Sequence, residues 1–466
     1  MKTYVKDMTT GEPAGLLLSF MAPMVVGNIF QQLYNLVDSM IVGQYVGADA
    51  LAAVGSTGSV TYLFFALCVG MASGTGIVIS QNFGAGNEAG VKKAVANGAY
   101  IMVAVSILMG VLGAVLSRPA LIFLHTPENI LDDAVMYMRI MCAGVLAVAL
   151  YNCVSAILRA VGDSKTPLYF LIGASVLNIV LDLLFVRGFS WGVAGAGAAT
   201  IIAQLLAGIG SLVFALMKNP FFKIEKEQLK ADWEIIWRCV RMGVPLAFQT
   251  SLIAISCVAL QRVVNTFGSV VVAAFTATSR VEQLVQQPYD TLGVAMSTYT
   301  GQNIGAKKID RVRQGYKRGM LIMAVFTLIM VPIAQLGGES IMRLFVSETE
   351  VIALGARALK ITSCFYLFLG SIYTTRGLLN GTGDAVFAFL NGLVEMLGRI
   401  CLAGPLTKVA SIGVWGVWLA TALTWFLAGS FNIARYFQGK WKRAGSDIIQ
   451  QQTGYTKEYE KEKAAP

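Results

Sequence analysis

Residues 14–43, AGLLLSFMAPMVVGNIFQQLYNLVDSMIVG, are apolar for longer than a bilayer requires, yet they carry a carboxylate, Asp38, near their end. About 20 apolar residues of helix cross the hydrocarbon core. Comparable runs recur at 51–79, 94–116, 134–158, 167–186 and 192–217, and again at 244–264, 270–300, 317–337, 351–378, 385–404 and 410–434. The 466 residues are 56% hydrophobic and 13% charged, where a soluble domain carries about 25% charged residues. The expected fold is all-α and integral to the membrane, with twelve transmembrane helices. The leader MKTYVKDMTTGEP is polar and the run behind it is too long for a signal-peptide core, so no cleaved signal is expected.

Charge and cysteine usage exclude other classes. The net charge of +10 follows topology: when connections are assigned to alternate sides, 26 of the 36 Lys and Arg fall on one side. The other side holds only Arg118, Arg187, Arg343 and Lys408. By the positive-inside rule both termini and the basic loops face the cytoplasm of a cell (plasma) membrane, and a nucleic-acid partner is not expected. The seven cysteines are scattered through apolar runs without metal spacing, and read as small core hydrophobes. A single histidine, His125, lies in a loop, so the inventory excludes a buried histidine relay. No enzyme is expected, since the chain offers no nucleophile, metal or acid–base cluster at an interface.

A duplication organises the chain. QNFGA (81–85) and QNIGA (302–306) are 221 residues apart, and the same shift aligns Gly47 with Gly268, Thr57 with Thr278 and Gly162-Asp163 with Gly383-Asp384. It also lays GVAGAGAAT (192–200) on GVWGVWLAT (413–421), and Pro23 meets Pro245 with one extra residue. The expected organisation is an amino-terminal six-helix lobe (1–217), a cytoplasmic linker (218–232), a carboxy-terminal six-helix lobe (233–440) and a polar cytoplasmic tail (441–466). Six spans per repeat give both halves the same orientation, as in parallel-repeat transporters, around a central cavity.

The copies differ where polar groups enter the spans, and such groups usually mark function. In the first span Gln31, Asn35 and Asp38 share one helical face; in the fifth, Asn178 and Asp182 are i and i+4; Thr200 lies in the sixth. Topology places Asp38, Asn178, Asp182 and Thr200 at similar depth in the outer half of one lobe. The equivalent positions of the second lobe hold Leu260, Arg399, Ala403 and Thr421, so only the threonine persists. Two carboxylates close together in low dielectric require a proton or a cation, and the accompanying amide and hydroxyl oxygens suit Na⁺. The second lobe carries Arg280, Glu282, Asp290, Glu395 and Arg399. Glu395 and Arg399, four apart, are expected to pair along their helix, while Glu282 and Asp290 are candidates to line the cavity and attract a cationic substrate.

Together, Pro23 followed fifteen residues later by Asp38, VGADALAAVG (46–55), the two QNxGA motifs and RAVGDSKTP (159–167) resemble the multidrug and toxin extrusion (MATE) family over about residues 12–440. The resemblance implies a 6+6 helix antiporter that exports organic, often cationic compounds by rocker-switch motion, driven by inward H⁺ or Na⁺. No further cofactor is implied. It assigns the coupling ion to Asp38, Asn178, Asp182 and Thr200, and adds Tyr34 and Asn152 as cavity-lining positions. One branch of the family carries an acid some eight residues after the proline of the seventh span. Here Pro245 is followed by LAFQTSLI, with Ile253 at that place, which argues against coupling centred on the carboxy lobe. The alternative cargo is a lipid-linked saccharide moved by a flippase of related architecture. A flippase would be expected to line its cavity with cations, whereas the basic residues here crowd the loops. Two fused lobes need no second subunit, and a monomer is expected.

Overall fold

The structure is a computed structural model that describes residues 5–124, 126–442 and 445. His125 and the tail from 446 onward lie outside the described residues. Fourteen α-helices account for most of the rest, with no strand among the described residues. They are α1 (Pro13–Tyr45), α2 (Ala48–Gly84), α3 (Glu88–Phe123), α4 (Glu128–Ala143), α5 (Val145–Ala160), α6 (Lys165–Asp182) and α7 (Gly192–Lys218). The second series is α8 (Trp233–Val264), α9 (Ser269–Gly305), α10 (Ile309–Arg343), α11 (Thr349–Ser363), α12 (Tyr366–Gly381), α13 (Ala385–Lys408) and α14 (Gly416–Gln438).

Nine described helices are long and apolar enough to cross a membrane, and the bent pairs α4–α5 (46°) and α11–α12 (53°) bring the number to eleven. The twelfth expected span is α9. It has ample length, 37 residues, but Arg280, Glu282 and Asp290 dilute its apolar character.

The 221-residue duplication extends to the backbone. Residues 48–84 of α2 and 269–305 of α9 are both 37-residue helices that begin and end at equivalent positions. Each starts behind a glycine with positive φ, Gly47 at 123° and Gly268 at 88°, a conformation that only a residue without Cβ adopts freely. Gly162 and Gly383 repeat the pattern at 91° and 85°, and the turn after α2, Gly86 at 69°, is matched by Lys307 at 61°. Lysine there is strained, so the second copy keeps the turn without a glycine.

The chain forms two compact units, and their limits fall inside helices. The first comprises Met1–Asp7 and Ala22–Ala247; the second comprises Met8–Met21 and Phe248–Pro466. Thus the opening turns of α1 belong with the second half of the chain, and the opening turns of α8 with the first. The expected linker is ordered on the first unit: Asp232 N donates to Asn97 Oδ1 (2.9 Å), Lys93 pairs with Asp232 (3.4 Å) and Tyr100 OH donates to Leu229 O (2.6 Å).

Local chemistry sets the helix ends. Asp163 starts α6 by accepting from Lys165 N and Thr166 N (3.0 Å each) and from Thr166 Oγ1 (2.5 Å). Burial pushes its carboxyl above the usual carboxylate range even so. Its repeat mate, Asp384, instead pairs with Arg435 on α14 at 2.7 Å.

Within the first unit α2 packs backbone to backbone on α8. A Cβ at Gly70 would stand 2.5 Å from Ala247 N, and one at Gly74 would strike Gly243 N. Gly58, on the same helix, faces open space. Gly74→Ala should therefore cost about 1–3 kcal/mol through overpacking, while Gly58→Ala should add about 0.5–1 kcal/mol by helix propensity. Thermal unfolding of the two purified variants in detergent should show shifts of opposite sign.

Candidate cation site in the first unit

The first unit places the first acid through α1 and the second through α6. Asp182 is the last residue of α6, and a six-residue π-helical segment, Leu183–Gly188, follows it directly. Such wide turns recur at functional sites because they shift the register of one helical face against the next. Asp182 is fully buried, Asn178 is 2% exposed, and Asp38 and Thr200 are half-buried. The carboxyls of Asp38 and Asp182 are close neighbours in one electrostatic field. Asn178 Nδ2 donates to Thr200 Oγ1 at 3.4 Å. The four residues expected at similar depth are thus brought together.

What this cluster lacks is donors. Asp38 Oδ1, Asn178 Oδ1, both Asp182 oxygens and Gln204 Oε1 are buried without a hydrogen-bond partner. All five are acceptors, and a buried acceptor left bare costs about 1–3 kcal/mol. A proton satisfies part of such a set, and a hard cation that prefers oxygen ligands satisfies more of it. The residues present therefore fit either a proton or Na⁺.

A narrow, closed-down cleft adjoins Asn178 and Thr200, lined also by Tyr34, Ser175 and Gln204 among others. The Tyr34 hydroxyl has the Gln31 and Gln204 side chains as neighbours and lies in the field of both acids. Asn35 does not join the cluster: it is exposed and donates to Gln32 Oε1 at 3.5 Å. Asn152 donates to Val148 O on its own helix (2.9 Å) and does not line the cleft.

Two members were missed by sequence reading. Gln204 sits one turn beyond Thr200 on α7, a spacing that could have revealed it. Tyr137 of α4 is buried within the electrostatic reach of Asp38, Tyr34 and Asp182, and a tyrosine in an apolar run gives no such signal.

The second unit is built differently at the equivalent positions. Leu260 and Ala403, which stand for Asp38 and Asp182, share one hydrophobic cluster with Val417 and Trp418. Glu395 does not pair with Arg399 as the i, i+4 spacing leads one to expect. Arg376 of α12 reaches Glu395 and Asn391 instead, and Arg399 donates to Ser256 Oγ at 2.7 Å. Interhelical packing, which brings α12 against this face of α13, outweighs spacing along one helix. Glu282 is buried beside Thr362 and in the field of Arg399, whereas Asp290 and Arg280 are exposed. Glu282 and Asp290 therefore do not form one acidic surface.

Duplicated apolar helices with a buried, donor-poor polar site in one copy define a multi-pass membrane transporter. The MatE family model matches residues 23–184 and 245–403, and the chain belongs to that family. It is 31% identical to the probable multidrug resistance protein YpnP of Bacillus subtilis, over 95% of this chain and 98% of that one. The probable multidrug resistance protein YoeA of the same organism is 29% identical over 91% and 93%. A solved MOP superfamily transporter from Pyrococcus furiosus superposes with a TM-score of 0.85 at 24% identity, over 95% of this chain and 98% of that one. The protein is thus a MATE multidrug efflux family transporter with small-molecule substrates.

Because the carboxyl pair is held against its own solvation, neutralising it should stabilise the fold. Asp182→Asn is expected to raise stability by about 1 kcal/mol, while Leu260→Asp, which puts an unpaired acid in the second unit's core, should cost about 3 kcal/mol or more. Thermal unfolding at neutral pH without Na⁺ would test both.

Proposed function

We propose that the protein exports organic, often cationic compounds in exchange for H⁺ or Na⁺ by rocker-switch alternating access, in a plasma membrane and with both termini cytoplasmic. Asp38, Asn178, Asp182 and Thr200 bind the coupling ion, which is the only further species required. Tyr34 and Gln31 are the substrate contacts the geometry favours. Asn35 and Asp290 retain the exposure such a role requires, whereas Glu282 does not. The protein acts as a monomer and performs no covalent chemistry.

The observation that carries this reading is the set of five buried acceptors without donors around Asp38 and Asp182. An ion that completes the set stabilises whichever arrangement of α1 and α6 holds the oxygens together. Substrate that prefers the other arrangement then competes through shape, and linkage makes the antagonism reciprocal, with a typical coupling of about 1–3 kcal/mol. The flippase alternative gains no support from a cleft lined by amides and hydroxyls without a cation, nor from relatives named for multidrug resistance.

The test is made in liposomes containing purified protein, with a fluorescent organic cation and either a pH or a Na⁺ gradient. Transport driven by one gradient, and reduced at least tenfold by Asp38→Asn, is the expected result and names the ion. Movement indifferent to both gradients, or an unimpaired variant, would overturn it.

A further inference from the structure

The first unit has a second opening, toward the opposite end of α6 from Asp182. Between α1, α5 and α6 lies an open cleft of about 40 Å³, walled by Pro23, Leu168 and Leu171 and bounded by Arg159 and Ser164. One enclosed water needs about 10–15 Å³, and the cleft holds several times that. Gly27 on α1 makes the room: a Cβ there would stand 3.2 Å from Leu168 and 3.3 Å from Leu171. In the second unit its repeat mate is Gln249, which is buried and packs on Gly392, the mate of Leu171. Asn380 and Ala385 stand there for Arg159 and Ser164. The duplication has thus kept neither the glycine nor the cation.

The lining changes character along the helices. Arg159 is in the last turn of α5 and Ser164 stands just before α6. Leu171 lies well into α6, and Tyr151 lies more than two turns back along α5, about 12 Å from Arg159. Asn28 and the Tyr151 hydroxyl are the polar groups at that inner end, and the hydroxyl is already committed to Pro167 O (3.0 Å). A cation at the helix ends and carbon further in complement an acidic head on an apolar body.

Two further cations flank the same loop. The chain before α1 lies against it: Lys6 N donates to Val161 O (3.1 Å), and Gly162 adopts a φ of 91° where a Cβ would strike Lys6 O. Lys165 directly follows Ser164. Burial, and then the field of Lys165, push the Lys6 ammonium below the usual lysine range, as repulsion between neighbouring ammoniums requires. Of the acids next to these residues, Asp163 is committed to the start of α6 and Asp7 is exposed. Tyr169, beside Leu168, is 63% exposed, the placement that tyrosines favour at a membrane interface.

We propose that this cleft binds one anionic phospholipid, its phosphate held by Arg159, Lys165 and Lys6 and an acyl chain lying along Leu168 and Leu171. A soluble amphiphilic anion shares that chemistry. Membrane lipid fits better because the basic end of the cleft falls at the helix ends, where a bilayer keeps its phosphates, and the apolar end falls within the span. The lipid comes from the leaflet in which α1 begins, the anion-rich cytoplasmic one in the orientation proposed above. It is neither coupling ion nor cargo, but a resident of the first unit.

The test titrates purified full-length protein in neutral detergent with phosphatidylglycerol or with phosphatidylcholine of the same chains. Bound lipid is counted by native mass spectrometry, and melting temperature is recorded alongside. Wild type should retain one phosphatidylglycerol at least tenfold more tightly than phosphatidylcholine. Arg159→Gln/Lys165→Gln should reduce that preference at least fivefold, and Arg159→Lys should keep most of it. Gly27→Gln, which places the second copy's residue in the cleft and leaves the cations, should lose the lipid as well. Lys165→Gln alone, at an exposed position, should weaken retention at least twofold even if the other variants do not fold, and Lys218→Gln elsewhere on the surface should change nothing. Equal retention of the two lipids by wild type, or an unchanged preference in folded Lys165→Gln, would overturn the proposal. Inorganic phosphate binding as tightly as the lipid would reduce the site to a bare anion site and overturn it too, as would dodecyl phosphate that displaces the lipid and is then carried across liposomes. Lipid binding is measured without a gradient, so transport indifferent to both gradients would remove the exchange proposed above and leave this site standing.

Discussion

Five acceptor oxygens with no donor, buried together in the first unit, are the physical constraint around which the candidate site is built. Polar groups in an apolar bundle are tolerated when they are paired, and most of those described here are paired. Thr57, Ser175 and Ser211 bond back to their own helices, and Asn97 bonds along its helix and to Asp232. The Asp38–Asp182 cluster departs from that economy, and what it lacks is positive charge. A fully satisfied polar core would be rigid and indifferent to ions. A core short of donors has a free energy that depends on whether a cation is present and on how closely the helices hold its oxygens together.

The duplication explains why the deficit can be confined to one side. The backbone of each repeat tolerates either content at equivalent positions: an acid pair in one copy, and Leu260 and Ala403 packed with Trp418 in the other. The second unit is not free of charge, but its charges have partners at hand. Arg376 serves Glu395, Ser256 accepts from Arg399, and Arg399 in turn faces Glu282. The second unit's unpartnered buried acceptors, Glu282 Oε1, Asn380 Oδ1 and Asn432 Oδ1, include only one carboxylate, whereas the first unit brings two carboxylates together.

Much of this was legible because membranes make sequence informative. Apolar runs had to be helices, and a carboxylate inside one had to be exceptional, so Asp38 and Asp182 stood out without a structure. The repeat was legible because a constant offset preserves turns as well as residues. Lys307 shows that the same turn is adopted where no glycine stands. Gln204 could have been found from its spacing to Thr200, but Tyr137 was hidden because a tyrosine is not exceptional in a span. Its place in the cluster exists only through its neighbours Tyr34, Asp38 and Asp182. The Glu395–Arg399 expectation failed for the same reason: spacing counts neighbours along one helix and cannot see Arg376 arriving from another. The division of α1 and α8 between units was invisible too, since a helix that changes partners partway along reads no differently from one that does not.

Mechanical symmetry and chemical asymmetry then combine. Both repeats open with a helix whose first turns belong to the other unit and whose proline lies within two residues of the change. Past that point α1 carries Asp38, and α8 carries Leu260 in a packed apolar cluster. The two repeats thus share the division of their first helix between units but not the chemistry that follows the proline: a buried acid cluster in the first unit, and an apolar cluster in the second.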